Sequence, residues 1–126
     1  YDVVLDDSRD KMWATYYSYI YEKPIFGNGY KSFSGAWDRN QMGVHNSYLL
    51  VFGEAGIFPF LVFIFMIINL LLKTYRISHI DSSLFILSIL FFLELLVTHN
   101  FFTLNMLILL YIYISYKYNF LNKIKY

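Results

Sequence analysis

An 18-residue stretch without a charged side chain, from Ala55 to Leu72, constrains the fold of this chain more than any other feature. As a helix it would be about 27 Å long, close to the hydrocarbon thickness of a bilayer. Pro59 lies near its start, where a missing N–H is least harmful, so we expect the helix to begin or to kink there. The stretch therefore predicts a first membrane span.

Two further apolar runs follow, from Leu84 to Val97 and from Phe101 to Tyr116. The first of these is preceded by Asp81, Ser82 and Ser83, which are suitable N-cap residues. The polar residues at 98–100 separate the two runs, which together would make a helix far too long for a bilayer. We therefore predict a tight helical hairpin, with each arm short for a full span.

The composition agrees with a membrane protein. The chain is 58% hydrophobic and only 15% charged, whereas about one quarter of an ordinary soluble domain is charged. Its formal net charge of +1, with no basic stripe, argues against a nucleic-acid partner. The absence of Cys excludes disulfides, thiolate catalysis and Cys-ligated metals.

The basic residues predict an orientation. Lys73 and Arg76 lie between the first two runs. The tail after the third run contains Lys117, Lys123 and Lys125. Because Lys and Arg are enriched on the cytoplasmic side, we expect both segments inside, and residues 1–46 and the His99 turn outside. The predicted organisation is thus an extracytoplasmic loop (1–46) followed by a transmembrane region with a cytoplasmic tail (47–126).

The outer loop has its own pattern. Five apolar residues recur at helical spacing and predict an amphipathic helix that lies on the membrane surface or against the bundle: Met12, Trp13, Tyr16, Tyr17 and Ile20. Pro24, Gly27 and Gly29 predict an irregular turn after it. Because the chain begins at Tyr1 without an initiator Met or a signal sequence, we expect it to be a piece of a longer protein.

An ordered set of motifs runs through this loop. It comprises Arg9, Trp13, the P-x-x-G-x-G segment Pro24–Gly29, Phe33, the H-N-x-x-L segment His45–Leu49, and the E-x-G segment Glu54–Gly56. In this order, with apolar spans after it, the chain resembles the O-antigen ligase and polysaccharide polymerase family. The resemblance covers roughly the first half of the chain.

The resemblance implies an all-α integral membrane protein, of which this chain is the C-terminal part of a polytopic helical, GT-C-like fold in the bacterial cytoplasmic membrane. It also implies upstream transmembrane helices, an undecaprenyl-diphosphate-linked glycan donor, an acceptor that is another glycan or lipid A core, membrane lipid around the spans, no metal ion and no cofactor. The expected activity is transfer of the lipid-linked glycan to the acceptor. Ligase and polymerase remain alternatives.

Arg9 is the candidate to bind the diphosphate. Negative charge grows on the departing diphosphate as the bond to the sugar breaks, and a guanidinium offers paired hydrogen bonds at any working pH. The alternative is that Arg9 pairs with a neighbouring carboxylate, Asp6, Asp7 or Asp10, on a wet surface.

His45 is the candidate to accept a proton from the acceptor hydroxyl, because imidazole titrates near neutrality. Its alternative role is that of an interfacial His bonded to backbone. Asn46 is a candidate substrate contact and also a suitable N-cap for a helix that begins at Ser47. Such a cap would fix the direction of His45.

The remaining candidates are a carboxylate and two glycines. Glu54 is a candidate catalytic residue at the mouth of the first span, and it could equally orient the loop through a hydrogen bond. Gly27 and Gly29 could let backbone approach the diphosphate, although a tight turn explains them equally well. Glu94, inside the second run, is a functional candidate as an ionisable residue in an apolar helix, and snorkelling to the interface or neutralisation explains it equally well. The three His residues have no metal-ligand spacing.

Two other functions fit a membrane chain of this composition. A transporter or flippase subunit for polysaccharide export would place polar residues along the spans near the midplane, whereas here they gather in the outer loop. A structural membrane subunit would use the aromatic loop only as an interface, which leaves the ordered motifs unexplained. We therefore expect a membrane glycosyltransferase.

Overall fold

The computed structural model describes residues 8–34, 43–98 and 105–124, and within these ranges all regular structure is helical. There are five helices in the described ranges: α1 (Ser8–Glu22), α2 (Ser47–Ala55), α3 (Ile57–Arg76), α4 (Ser82–Val97) and α5 (Asn105–Ile124). The all-helical prediction is thus confirmed for this part of the chain. The predicted turn at His99 lies outside the described residues, and so do Asp6 and Asp7, two of the possible partners of Arg9.

Gly56 separates a short helix from a long one. It has a φ of 84°, in the left-handed region that favours glycine, so α2 ends at Ala55 and α3 begins at Ile57. α3 therefore begins two residues before Pro59, near the predicted start, and Pro59 lies in its first turn.

α3 is the one described helix that is both long enough and apolar enough to cross a membrane. A core helix of a soluble protein would also be apolar, but it would be mostly buried. Only 22% of the most apolar stretch of α3 is buried. Six of its large apolar residues are exposed: Phe58, Leu61, Val62, Phe65, Ile68 and Leu72. The exposed apolar surface of α3 therefore favours an apolar environment such as lipid.

α4 and α5 correspond to the predicted hairpin, with different bounds for α5. Asp81 caps α4 by accepting a hydrogen bond from Leu84 N, as predicted. α5 continues to Ile124, beyond the run expected to end at Tyr116, because residues after Tyr116 still pack on the bundle: Lys117 pairs with Asp81, and Tyr118 and Leu121 pack against the apolar core. α4 has 16 residues and is apolar, whereas α5 has 20 and includes lysines. Three complete spans remain a prediction.

Contacts at the two ends of the helical bundle show that α3, α4 and α5 alternate in direction. At one end, Lys117 of α5 forms an ion pair with Asp81 at the start of α4, at 2.7 Å. Lys73 of α3 lies 5.8 Å from the ring of Tyr118 there. At the other end, Ser47 Oγ of α2 donates to the Thr98 carbonyl after α4. The two basic segments thus share one end, opposite the start of α2.

Two apolar clusters lie on either side of α2. The larger cluster joins α2 to the three long helices through ten buried residues: Val51, Phe63, Ile67, Leu70, Ile77, Leu84, Phe91, Leu95, Leu107 and Ile114. The smaller cluster, which we call the loop core, joins α1, the loop and α2 through Tyr16, Ile20, Phe33, Val44 and Leu50. α2 therefore links the loop to the bundle.

The predicted apolar stripe of α1 is only partly correct. Tyr16 and Ile20 are buried in the loop core, but Tyr17 is 43% exposed because it is rotated by about 100° from Tyr16 on the helix. The structure does not describe the side chains of Met12 and Trp13, the other two residues of the predicted stripe.

Candidate functional site

The P-x-x-G-x-G turn lies directly on the C-terminal end of α2. Asn28 N donates to the Gly53 carbonyl at 2.7 Å, and Gly29 N donates to the Glu54 carbonyl at 3.0 Å. The last carbonyls of a helix have no partner within it, so this distant turn satisfies two of them. Two of the predicted motifs, the turn and the E-x-G segment, are thus joined through backbone hydrogen bonds.

This contact requires glycine on both sides. Gly27 has a φ of 69°, and a Cβ placed on it would overlap the Glu54 carbonyl. A Cβ on Gly56 would overlap the Ile25 carbonyl. Since both residues also have positive φ, any other residue would be strained in either place. Gly27 of the turn therefore has a packing role against α2 beside any substrate role, and Gly56 has the same role on the other side of the contact.

Asn28, between these glycines, is a residue that the sequence analysis did not single out. Its side-chain nitrogen donates to the Tyr19 carbonyl of α1 at 2.9 Å and to the Gly53 carbonyl of α2 at 3.3 Å. The signal available in the sequence was its place in a G-N-G turn, where Asn is common. Asn28 thus ties the end of α1 to the end of α2.

Glu54 is bonded to the loop through its carboxylate. Its Oε1 accepts a hydrogen bond from Phe33 N at 3.1 Å. Phe33 is fully buried, and its ring lies 4.7 Å from that of Tyr16. Gly53 leaves the space that this ring occupies, since a Cβ there would overlap it. Glu54 thus makes a hydrogen bond of the kind that orienting the loop would need, and both its orienting role and its catalytic role stay predictions.

His45 and Asn46 join the same network at the start of α2. Val44 N donates to the Phe33 carbonyl at 3.1 Å, which places His45 one residue beyond the loop core. His45 is exposed and has a φ of 46°, a conformation that is uncommon for a residue with a side chain. Asn46 Oδ1 accepts hydrogen bonds from Tyr48 N and Leu49 N, at 3.0 and 3.1 Å, so the predicted N-cap is confirmed.

Arg9 lies in the first turn of α1, and the structure does not describe its side chain. It precedes Tyr16 by seven positions, close to two helical turns. Burial in the loop core raises the pKa of Tyr16, with smaller contributions from Tyr19 and Glu54. The helix that carries Arg9 is thus attached to the network that carries His45 and Glu54, while contact between Arg9 and either residue stays a prediction.

An apolar groove of about 530 Å³ lies beside this network, between α2 and α3. It is lined by Leu50, Val51, Glu54, Ala55, Phe58, Pro59, Val62, Phe63 and Met66. Among the described residues that line it, Glu54 alone is charged, and this residue also bonds to the loop through its carboxylate. The groove could hold an alkyl or isoprenoid chain, because it has almost no polar lining.

Among the residues that the structure describes, no three His, Cys, Asp or Glu side chains come together as metal ligands.

Glu94 is exposed on α4, three residues before the helix ends. His79 is exposed in the connection between α3 and α4, at the opposite end of the bundle from His45. Of the candidates, the structure therefore joins the turn glycines and Glu54 at the C-terminal end of α2. His45 and Asn46 lie at its N-terminal end and are linked to Glu54 through Val44 and Phe33. No protein-family model, curated protein or solved structure matches this chain.

Proposed function

We propose that this chain is the C-terminal part of a bacterial membrane glycosyltransferase that transfers a glycan from undecaprenyl diphosphate to a glycan or lipid acceptor. One observation carries the proposal. The motif residues spread over positions 27–56 form one connected network at the N-terminal end of the apolar helix α3. A polar site at the mouth of a membrane span suits a substrate whose lipid is in the bilayer and whose glycan is in water.

In this proposal Arg9 binds the diphosphate of the donor. As the bond between the anomeric carbon and the phosphate oxygen breaks, the leaving lipid diphosphate gains negative charge, which a guanidinium stabilises through two parallel hydrogen bonds. α1 positions Arg9, since Tyr16 and Ile20 hold this helix in the loop core. Lys at this position would keep the charge and lose the paired geometry.

His45 acts on the acceptor. It accepts the proton of the acceptor hydroxyl while that oxygen attacks the anomeric carbon, and undecaprenyl diphosphate departs with the electrons of the broken bond. The Asn46 cap and the bond between Val44 and Phe33 position His45 from both sides. Glu54, bonded to Phe33 N, is the positioning residue of this loop.

The apolar groove beside Glu54 supplies a place for the isoprenoid chain of the donor. It extends from the loop network along α3 as far as Met66. A chain lying there would place its diphosphate towards the loop, which carries the polar groups of the network. The transporter alternative gains no comparable support, because the buried polar side chains inside the long helices, Thr74 and Ser88, bond to each other at 2.7 Å.

Substitutions in a protein that carries this segment test the proposal. Arg9→Lys and His45→Ala should each lower glycan assembly in cells by about a hundredfold or more, the effect of losing a few kcal/mol of transition-state stabilisation. Arg9→Lys should also weaken binding of the lipid-linked donor, whereas His45→Ala should lower turnover more than donor binding. Glycan formation and membrane levels of each variant would be measured together.

The chain offers matched controls at the opposite end of the bundle. Arg76→Lys and His79→Ala make the same chemical changes at exposed positions outside the network, so both should keep near-normal glycan assembly. If Arg9→Lys and His45→Ala reach normal membrane levels and assemble glycan as well as these controls, the catalytic proposal is wrong. A transporter or structural function would then be favoured.

A further inference from the structure

The end of α1 and the turn after it present large apolar side chains at the surface. Phe26 is 85% exposed, Tyr21 is 83% exposed and Ile25 is 50% exposed. These side chains are uncovered although the backbone that carries them is held firmly against α2 and α3. A rigid backbone with apolar side chains directed outwards suggests a surface that contacts an apolar medium.

The position of this turn along α3 identifies that medium. The Pro24 carbonyl accepts a hydrogen bond from Ile57 N, the first residue of α3, at 3.0 Å. The Ile25 carbonyl contacts Gly56. α3 has 20 residues and is therefore about 30 Å long, which matches the hydrocarbon thickness of a bilayer. When α3 crosses a bilayer, Ile25 and Phe26 are thus at the level of the membrane–water interface.

The charges around the turn agree with this location. Lys23 and Lys31 flank the apolar side chains, and Glu22 is the only acidic residue in that part of the loop. The Lys31 ammonium lies 5.3 Å from the ring of the exposed Tyr30. Aromatic rings are typical of residues at the headgroup level, and the long lysine side chains can keep their ammonium groups in water there.

We infer that Ile25 and Phe26 insert into the headgroup region of the bilayer and hold the outer loop at a constant height. The partner is the phospholipid surface itself. Since the same turn lies on the C-terminal end of α2, this insertion fixes the height of α2 and of the loop core relative to the bilayer. The inference depends on α3 crossing the bilayer and is independent of glycosyl transfer.

A fluorescent label at position 26 tests the inference. The chain has no Cys, so Phe26→Cys can be labelled at this one position with a nitrobenzoxadiazole dye, and the free dye–cysteine adduct is the reference. The labelled protein is reconstituted into vesicles of phosphatidylethanolamine and phosphatidylglycerol. Because Phe26 is so exposed, its replacement removes little internal packing.

We expect the dye at position 26 to emit at shorter wavelength than the free dye–cysteine adduct. Iodide should quench it several-fold less than the adduct, and nitroxide lipids labelled near the headgroup should quench it more than lipids labelled deep in the chain. A dye at position 26 that is quenched by iodide as strongly as the free adduct overturns the inference. The exposed aromatic side chains would then be a surface for a glycan or a protein.

Discussion

At the scale of single residues, Gly27 and Gly29 have different surroundings although both belong to one turn. Both have positive φ, 69° and 92°. A Cβ on Gly27 would overlap the backbone of Glu54, whereas a Cβ on Gly29 would meet no atom within 4 Å. Gly29 therefore requires glycine only for its backbone conformation, and Gly27 requires it for close packing as well.

This difference predicts unequal effects of the same substitution. Gly29→Ala should cost only the left-handed strain, about 1 kcal/mol. Gly27→Ala should cost about 3 kcal/mol, because the overlap also breaks the two hydrogen bonds to α2, each of about 1 kcal/mol. Hydrogen–deuterium exchange at the backbone N–H groups of residues 28 and 29 measures how often the turn opens away from α2. Gly27→Ala should speed this exchange by about a hundredfold.

Gly29→Ala is the matched control for this experiment, since it places the same methyl group two residues away. Exchange that is equally fast in both variants would mean that backbone strain, and not contact with Glu54, is the reason that position 27 requires glycine. Unchanged exchange in Gly27→Ala would mean that the turn does not lie on α2.

At the scale of elements, the start of α4 depends on Asp81. Its carboxylate accepts hydrogen bonds from Leu84 N and from Ser83, and it forms the ion pair with Lys117 of α5. The hydrogen bond from Lys117 is the main cause that lowers the pKa of Asp81 from 3.8 to about 2. One side chain thus caps α4 and fastens α5 to it.

This pKa predicts the direction of a pH effect. Because the folded-state pKa is lowered, the contribution of the Asp81 carboxylate to stability is complete above pH 3.8 and is lost as the pH falls to about 2. Asp81→Asn keeps a capping oxygen and removes the titration, whereas Asp81→Ala should also lose the cap, at a cost of about 1 kcal/mol.

Thermal unfolding in a mild non-ionic detergent, followed by circular dichroism, measures these effects. Between pH 3.8 and about 2 the unmodified chain should lose more stability than Asp81→Asn does. Lys117→Gln, which removes only the partner in the ion pair, should reduce this difference. Equal losses in the unmodified chain and in Asp81→Asn would show that the carboxylate does not act in this way.

At the scale of the whole molecule, the basic residues and the helix directions together predict the topology. Lys73, Asp81 and Lys117 lie at one end of the bundle, and the loop core continues into α2 at the other end. Because the last turns of α3 and α5 carry Lys73, Arg76, Lys117 and Lys123, this end is expected in the cytoplasm, and the loop core should face the outside.

Cysteine labelling with a membrane-impermeant maleimide tests this orientation. A Cys at Ser34, in the loop, should react in intact cells, and a Cys at Asn122, near the end of α5, should react only after the membrane is opened. The two variants control for each other, since the chain has no other Cys. Labelling in the reverse order would contradict the orientation and would place the proposed site in the cytoplasm.

Several local features could be predicted from the sequence alone. The apolar helix that became α3, the Asn46 cap of α2 and the Asp81 cap of α4 were all visible in short segments. Each depends on residues within a few positions of one another: a run of apolar side chains, or a side-chain oxygen that accepts from an N–H two or three residues later. Such signals need no knowledge of the rest of the chain.

Other features were decided only by the tertiary structure. The hydrogen bonds from Asn28 to Gly53 cross 25 positions, and the bond from Phe33 N to Glu54 crosses 21. The burial of Tyr16 in place of Tyr17 and the length of α5 likewise depended on packing against other elements. The sequence contained every motif of the site, but the turn joins α2 only because glycines allow two backbones to touch, and that contact exists only in the folded chain.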